Sequence, residues 1–166
     1  CCFSGQDHSG VTVCVWLDGG NPARHVIRRN YFSNRLPGNG NGFETIRIGT
    51  SARSMTAARC VVSENLFEKC SGEIEIISNK SCEDTYLLNT FLYCSGCLIL
   101  RHGNRCEVKA NVFIGGDARG AGGVRLVGKG HRITGNYFSG TKGRAGGAIS
   151  LQAGIPDSLL SGYFQV

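Results

Sequence analysis

Short segments in which apolar and polar residues alternate recur along the chain, each entered through glycine: "GEIEIIS", "GCLILRH", "GGVRLVG" and "GGAISLQ". Alternation with a period of two marks a strand that buries one face. Ile74 and Ile76, Leu98 and Leu100, Val124 and Leu126, and Ile149 and Leu151 are therefore expected to point inward, with the intervening residues facing out. No helical period of useful length competes, and only "TSARSMTAA" predicts a short turn of helix.

Between these segments the motif N-x-F repeats, as Asn30-Tyr31-Phe32, Asn65-Leu66-Phe67, Asn89-Thr90-Phe91, Asn111-Val112-Phe113 and Asn136-Tyr137-Phe138. Degenerate copies stand at Cys1-Cys2-Phe3 and Gly162-Tyr163-Phe164, and the Phe-to-Phe steps are 29, 35, 24, 22, 25 and 26 residues. A period in the twenties with occasional insertions is that of a β-solenoid, whose short strands stack on their equivalents in neighbouring coils. The pattern predicts an all-β parallel β-helix of about six coils, with Asn amides laddering at a corner and Phe rings stacked in the core.

Composition sharpens this picture. Glycine takes 25 of 166 positions without a Gly-X-Y period, which excludes collagen and is read as repeated tight corners. Charged residues make up 18% of the chain, too few for a disordered polyelectrolyte, and no apolar run is long enough to span a membrane. The single methionine is Met55, and no charged and apolar leader precedes Cys1. The whole of 1–166 is therefore expected to be one segment of parallel β-helix, incomplete at both ends.

Two pairs of the nine cysteines share columns: Cys70 and Cys94 lie five residues after their repeat Asn, Cys82 and Cys106 seventeen after. Equivalent positions on adjacent coils are about 4.8 Å apart, so a disulfide or a buried thiol ladder fits, the ladder being preferred. The net charge of +6 suits an anionic partner, yet no basic run or aromatic RNA motif is present and nucleic acid is not expected. "RGAGG" and "GKG" lack the Walker pattern, which argues against nucleotide binding.

Candidate chemistry gathers on one strand. Glu73 and Glu75, two apart in "GEIEIIS", project from the same outer face, where two like charges are tolerable if a hard cation such as Ca²⁺ binds between them. The same pair also suits a solvated face balanced by Arg or Lys. Aligning coils sets Cys97 over Glu73, Ile99 over Glu75 and Arg101 over Ile77, and Arg125, in "GGVRLVG" one coil further, is read into the column of Glu75. With Lys80 close by, the acidic pair is flanked by cations, a layout that suits an anionic polymer. Trp16 is a weaker candidate for sugar stacking.

The stretches "NGFETIRIGTS", "ENLFEKCSGEIEIISNKS", "NTFLYCSGCLILRHGN", "GGVRLVGKGHRITGNYF" and "GIPDSLLSGYFQV" resemble polysaccharide lyase family 6, which contains alginate lyases and chondroitinase B. The resemblance implies a right-handed parallel β-helix, calcium ligands at Asn41, Glu73 and Glu75, a Brønsted base at Lys80 and a Brønsted acid at Arg101. It also suggests substrate contacts at His102 and Arg125.

The implied reaction is β-elimination at a uronic acid, most readily in alginate, with Ca²⁺ acting as Lewis acid on the C6 carboxylate. Dermatan sulfate is the alternative substrate, and a noncatalytic polysaccharide-binding solenoid the alternative class. A secreted or periplasmic location follows from the same resemblance.

Overall fold

A computed structural model describes residues 1–18, 20–143 and 147–152. The degenerate repeat at Gly162-Tyr163-Phe164 and the "GIPDSLLSGYFQV" stretch lie outside the described residues. The chain winds through six successive coils. The first contributes β1 (Cys2–Ser4), β2 (Val13–Val15) and β3 (Val26–Arg28); the second β4 (Tyr31–Arg35), β5 (Ile46–Gly49) and β6 (Val61–Ser63). The third holds β7 (Leu66–Cys70), β8 (Glu75–Lys80) and β9 (Thr85–Leu87); the fourth β10 (Thr90–Leu92), β11 (Gly96–His102) and β12 (Glu107–Lys109). The fifth adds β13 (Val112–Ile114), β14 (Ala121–Leu126) and β15 (Arg132–Thr134), and the sixth β16 (Tyr137–Ser139) and β17 (Ile149–Leu151). The predicted turn near "TSARSMTAA" is a 3₁₀ helix over Ser51–Arg53.

Each of the first five coils gives one strand to each of three parallel sheets, and among the described residues the sixth gives one to two of them: β1-β4-β7-β10-β13-β16, β2-β5-β8-β11-β14-β17 and β3-β6-β9-β12-β15. The second of these, hereafter the site sheet, carries the acidic and basic candidates. Among the described residues, no helix is long and apolar enough to cross a membrane.

The N-x-F motif builds the interior. Phe3, Phe32, Phe67, Phe91, Phe113 and Phe138 form one continuous stack, with centroids 4.6 to 5.1 Å apart and planes within 10° of parallel. The five Asn residues form a ladder in which each side-chain Nδ2 donates to the Oδ1 one coil on, at 3.0 Å in every step from Asn30 to Asn136.

The residue before each Asn is left-handed, and in four of five cases it is Arg29, Glu64, Leu88 or Ala110 rather than glycine, with φ between 52° and 55°. Corners thus account for less of the glycine content than the composition implied. The penalty of a left-handed L-residue is offset by a ladder that satisfies the corner amides, since the Asn Oδ1 also accepts the preceding Asn's backbone N–H.

None of the nine cysteines is bridged. Cys70 and Cys94 stack as expected, the Cys70 amide donating to the Cys94 Sγ at 3.3 Å.

Along the site sheet Leu98, Leu100, Val124 and Leu126 join the core as anticipated, and Ile149 and Leu151 continue their columns. Ile76 joins the core too, but Ile74 needs correction, since it precedes the strand and lies outside the core; the inward pair in register with Leu98 and Leu100 is Ile77 and Asn79. Asn79 is fully buried yet satisfied, donating to the Ser81 and His102 carbonyls and accepting from the Tyr86 hydroxyl at 2.7 Å.

Candidate functional site

Two register shifts shape the face around β8. Between Glu75 and Ile77 the extra residue is Ile76; between Leu100 and His102 on β11 it is Arg101. Bulges re-aim side chains, and here each strand has one, so the two run out of register and return to it. Cys97 consequently pairs with Glu75, Ile99 with Ser78 and His102 with Lys80. This corrects the alignment of Cys97 over Glu73, Ile99 over Glu75 and Arg101 over Ile77. Arg125 pairs with Ile99, which places it in the column of Ser78 and Arg47 rather than that of Glu75.

The bulge leaves Arg101 with an exposed guanidinium whose Nε lies 3.7 Å from the Oε1 of the nearly buried Glu75. Glu73, in the corner before β8, accepts hydrogen bonds from the Gly42 and Phe43 amides at 3.1 and 2.9 Å. Those amides belong to the loop that carries Asn41. The loop is anchored by buried Arg35, whose guanidinium covers the Phe43 ring at 5.2 Å and donates to the His8 and Gly10 carbonyls. A further tie runs from the Gly38 amide to the Gly72 carbonyl at 2.8 Å. Asn41 and Glu73 line one depression of about 570 Å³, together with Ser71 and Ser95.

Burial pushes the Glu73 carboxyl up to about 7; the Phe43 amide holds it back, while neighbouring Glu44 and Glu75 push it further upward. His102 is held far below its ordinary value, at about 3, first by burial and then by the Arg101 and Lys80 charges. At neutral pH it is therefore an uncharged imidazole wedged beside two cations.

The structure thus brings Glu73, Glu75, Lys80, Arg101 and His102 into one neighbourhood, with Asn41 at its edge. Arg125 stands one coil away, its Nε donating to Gln152 Oε1 at 2.6 Å.

Sequence reasoning missed two members. Glu44 is buried beside Glu73, and Arg47 lies 4.0 Å from it. Both fall within "NGFETIRIG", where their charges in an otherwise apolar segment were the available signal. Glu44 Oε2, Arg47 Nε and Ser78 Oγ are buried without hydrogen-bond partners among the described residues. Such orphaned groups are costly unless a ligand or water completes them.

Among the described residues no three His, Cys, Asp or Glu side chains converge on a metal position, so a cation would rest on the two glutamates, an amide oxygen and ligands from outside the chain. That donor set is all oxygen and suits Ca²⁺. Glu73, Glu75 and the orphaned Glu44 oxygen form a half-buried acidic cluster, which fits the same ion.

The family model described as chondroitinase B matches residues 1–166. A solved mannuronic-acid-specific family 6 lyase from human gut microbiota is 35% identical, with a TM-score of 0.89 over 99% of this chain and 38% of its own. The family 6 alginate lyase AlyGC is 39% identical, with a TM-score of 0.92 over 99% of this chain and 23% of its own. The chain thus spans well under half of either relative. An alginate lyase solved in complex with G6 is 28% identical, with a TM-score of 0.81 over 96% of this chain and 33% of its own. No curated protein matches the chain. The match over its whole length, with structural relatives at 35% and 39% identity, places this chain in polysaccharide lyase family 6, the family of chondroitinase B and the alginate lyases.

Proposed function

We propose that this chain carries the reaction centre of a lyase that cleaves a polyuronide by β-elimination, with alginate as the substrate. The observation that carries the reading is the pairing of Lys80 with His102 across β8 and β11, with the bulged Arg101 next to His102 reaching toward Glu75. A base and a strong hydrogen-bond donor then face the same stretch of groove.

Lys80 takes the H5 proton, the C5–H electrons form the C4=C5 double bond, and the C4–O4 bond breaks. Arg101 donates a hydrogen bond to the departing O4; since a guanidinium is a very weak acid, its work there is chiefly electrostatic. The leaving oxygen takes its proton finally from solvent or from the protonated Lys80. His102, uncharged near neutral pH, orients a substrate oxygen without adding a third positive charge. Arg125, one coil on, holds the carboxylate of a neighbouring sugar.

Asn41, Glu73 and Glu75 would hold Ca²⁺, which when bound neutralises the C6 carboxylate and so makes H5 more acidic. Glu73 would be held ionised by the ion, while its bonds to the Gly42 and Phe43 amides fix its direction. A polymeric substrate agrees with a secreted or periplasmic location.

Relatives described as alginate lyases support alginate, whereas the matched family description supports dermatan sulfate as the second reading. The test is to incubate the protein with alginate and with dermatan sulfate, with and without chelator, and follow the ultraviolet absorbance of unsaturated uronate. Absorbance from alginate that chelator abolishes is expected. Absorbance from dermatan sulfate alone would reassign the substrate, and none from either would favour a noncatalytic binding solenoid.

A further inference from the structure

The outer face of the site sheet continues past Lys80 toward the first coil, and the reaction scheme uses nothing there. Gly49 pairs with Lys80, and Trp16 follows Val15, whose partner Ile48 immediately precedes Gly49. Trp16 therefore stands in the outward row of Lys80, two coils away, with a glycine between them that raises no side chain above the sheet. It is the single tryptophan of the chain and is 70% exposed.

Its position is supported from below. The Arg47 guanidinium lies against one face of the indole, 5.6 Å from the ring centroid. Arg47 donates to the Cys14 Sγ at 3.4 Å and sits 4.0 Å from Glu44, yet its Nε is one of the orphaned buried donors. An exposed indole costs apolar hydration, and a half-buried cation beneath it adds electrostatic attraction for an anion. Beside the ring is a depression of about 260 Å³ lined by Trp16, Asp18, Asn21 and His25, side chains that hydrogen-bond hydroxyl groups. An aromatic platform, a half-buried cation and hydroxyl partners are what a single uronate ring presents counterparts for.

We propose that Trp16, backed by Arg47, is a sugar-stacking subsite that binds a uronate residue of the same polymer remote from the bond being cleaved. The proposal rests on the polyuronide reading above and deepens it. Coils advance by about 4.8 Å, close to the length of one sugar, so a chain laid along the solenoid axis puts roughly one residue over each coil. Arg125, Arg101, Lys80 and Arg47 supply one cation per coil along that path, and Trp16 closes the row.

The test uses the protein with Lys80→Ala, which binds without turnover, titrated calorimetrically with oligomannuronates of three and six residues. Adding Trp16→Ala is expected to weaken hexamer binding by about tenfold and to erase most of the affinity gained from trimer to hexamer. Trp16→Tyr should restore most of that gain, which loss of a merely structural residue would not allow. The hexamer should also change the Trp16 fluorescence, taken as the difference between proteins with Trp16 and with Trp16→Phe.

An unchanged ratio of hexamer to trimer affinity on Trp16→Ala, or no difference signal, overturns the subsite. Its failure is separable from failure of the lyase reading. A parent protein that releases unsaturated uronate while Trp16→Ala leaves the length dependence intact refutes the subsite alone. An inactive parent whose hexamer binding still needs Trp16 refutes only the chemistry.

Discussion

The Arg101 guanidinium and the Glu75 carboxylate meet across adjacent coils at 3.7 Å, although one is proposed for the leaving group and the other for the cation. The contact ties the two roles together, because positive charge at Arg101 opposes a metal ion at Glu75 while holding that carboxylate in place.

Arg101→Ala should therefore act in opposite directions on binding and turnover. Calcium affinity, measured by calorimetry, is expected to stay equal or rise by a few-fold as a nearby like charge is removed. Release of unsaturated uronate should fall by about 10²- to 10⁴-fold, the usual worth of a positioned proton-transfer or charge-stabilising group. Glu73→Gln is expected to weaken calcium binding instead. A parallel loss of both properties in Arg101→Ala would show that the contact is purely structural.

Gly49 has φ +77°, and a β-carbon there would overlap the Lys80 carbonyl. Gly49→Ala should displace the end of β8 and cost about 1–3 kcal/mol, measured by urea unfolding, with turnover reduced at least tenfold. Gly5 supplies the control, since its φ of +71° is nearly the same but its surroundings are open. Gly5→Ala should show only the backbone penalty of about 1 kcal/mol and keep full turnover.

Much of the fold could be read from the sequence because it repeats with the same side chains. The equivalents of Phe91 recur in all six coils and those of Asn89 in five, in identical roles, so counting residues recovers their columns. The site was only partly readable, for a reason of the same kind. The corner between Cys70 and Glu75 holds two more residues than the one between Cys94 and Cys97, and Ile76 and Arg101 are then bulged out. Counting from N-x-F misplaces every partner on this face, although the residue types were right. Glu44 and Arg47 escaped notice because a charge in or just before a short buried strand reads as outward-facing until its cover is known.

The ladder makes its own prediction. Asn89 is fully buried; it accepts from the Asn65 backbone and side-chain amides and donates to the Val62 carbonyl and Asn111 Oδ1. Asn89→Ala strands donors and acceptors on both neighbouring coils, so a loss of about 3 kcal/mol or more is expected in equilibrium unfolding. Asn136→Ala, in a less buried coil with its side chain donating to the Val108 and Thr134 carbonyls, should cost less.

Two buried groups should give stability opposite pH slopes. His102 titrates near 3 in the fold and about 6.5 unfolded, so the unfolded chain binds the extra proton between those values. Its contribution is present above about 6.5 and is lost as pH falls toward 3. Burial pushes Asp84 up to about 7, despite bonds from Ser81 and the Cys60 amide, against about 3.9 unfolded. Here the folded chain holds the extra proton, and stability declines as pH rises from about 4 through 7. Melting temperatures from pH 4 to 8 should show His102→Gln flattening the acid limb and Asp84→Asn flattening the decline toward neutrality. Identical profiles for both variants would refute the assignment.

The Asn ladder has a direction as well as a strength. From Asn30 to Asn136 every side-chain amide points the same way, nitrogen toward the next coil and oxygen toward the last. Amide dipoles aligned head to tail add, as they do along an α-helix, and each polarises its neighbour. The described residues, almost without helix, thus carry a macrodipole along the solenoid axis, made from five uncharged side chains. Because its central members are buried, dissolved salt screens it far less than it screens the arginines outside. Even the isosteric Asn89→Asp would interrupt it, since a carboxylate has no hydrogen to pass the polarity on.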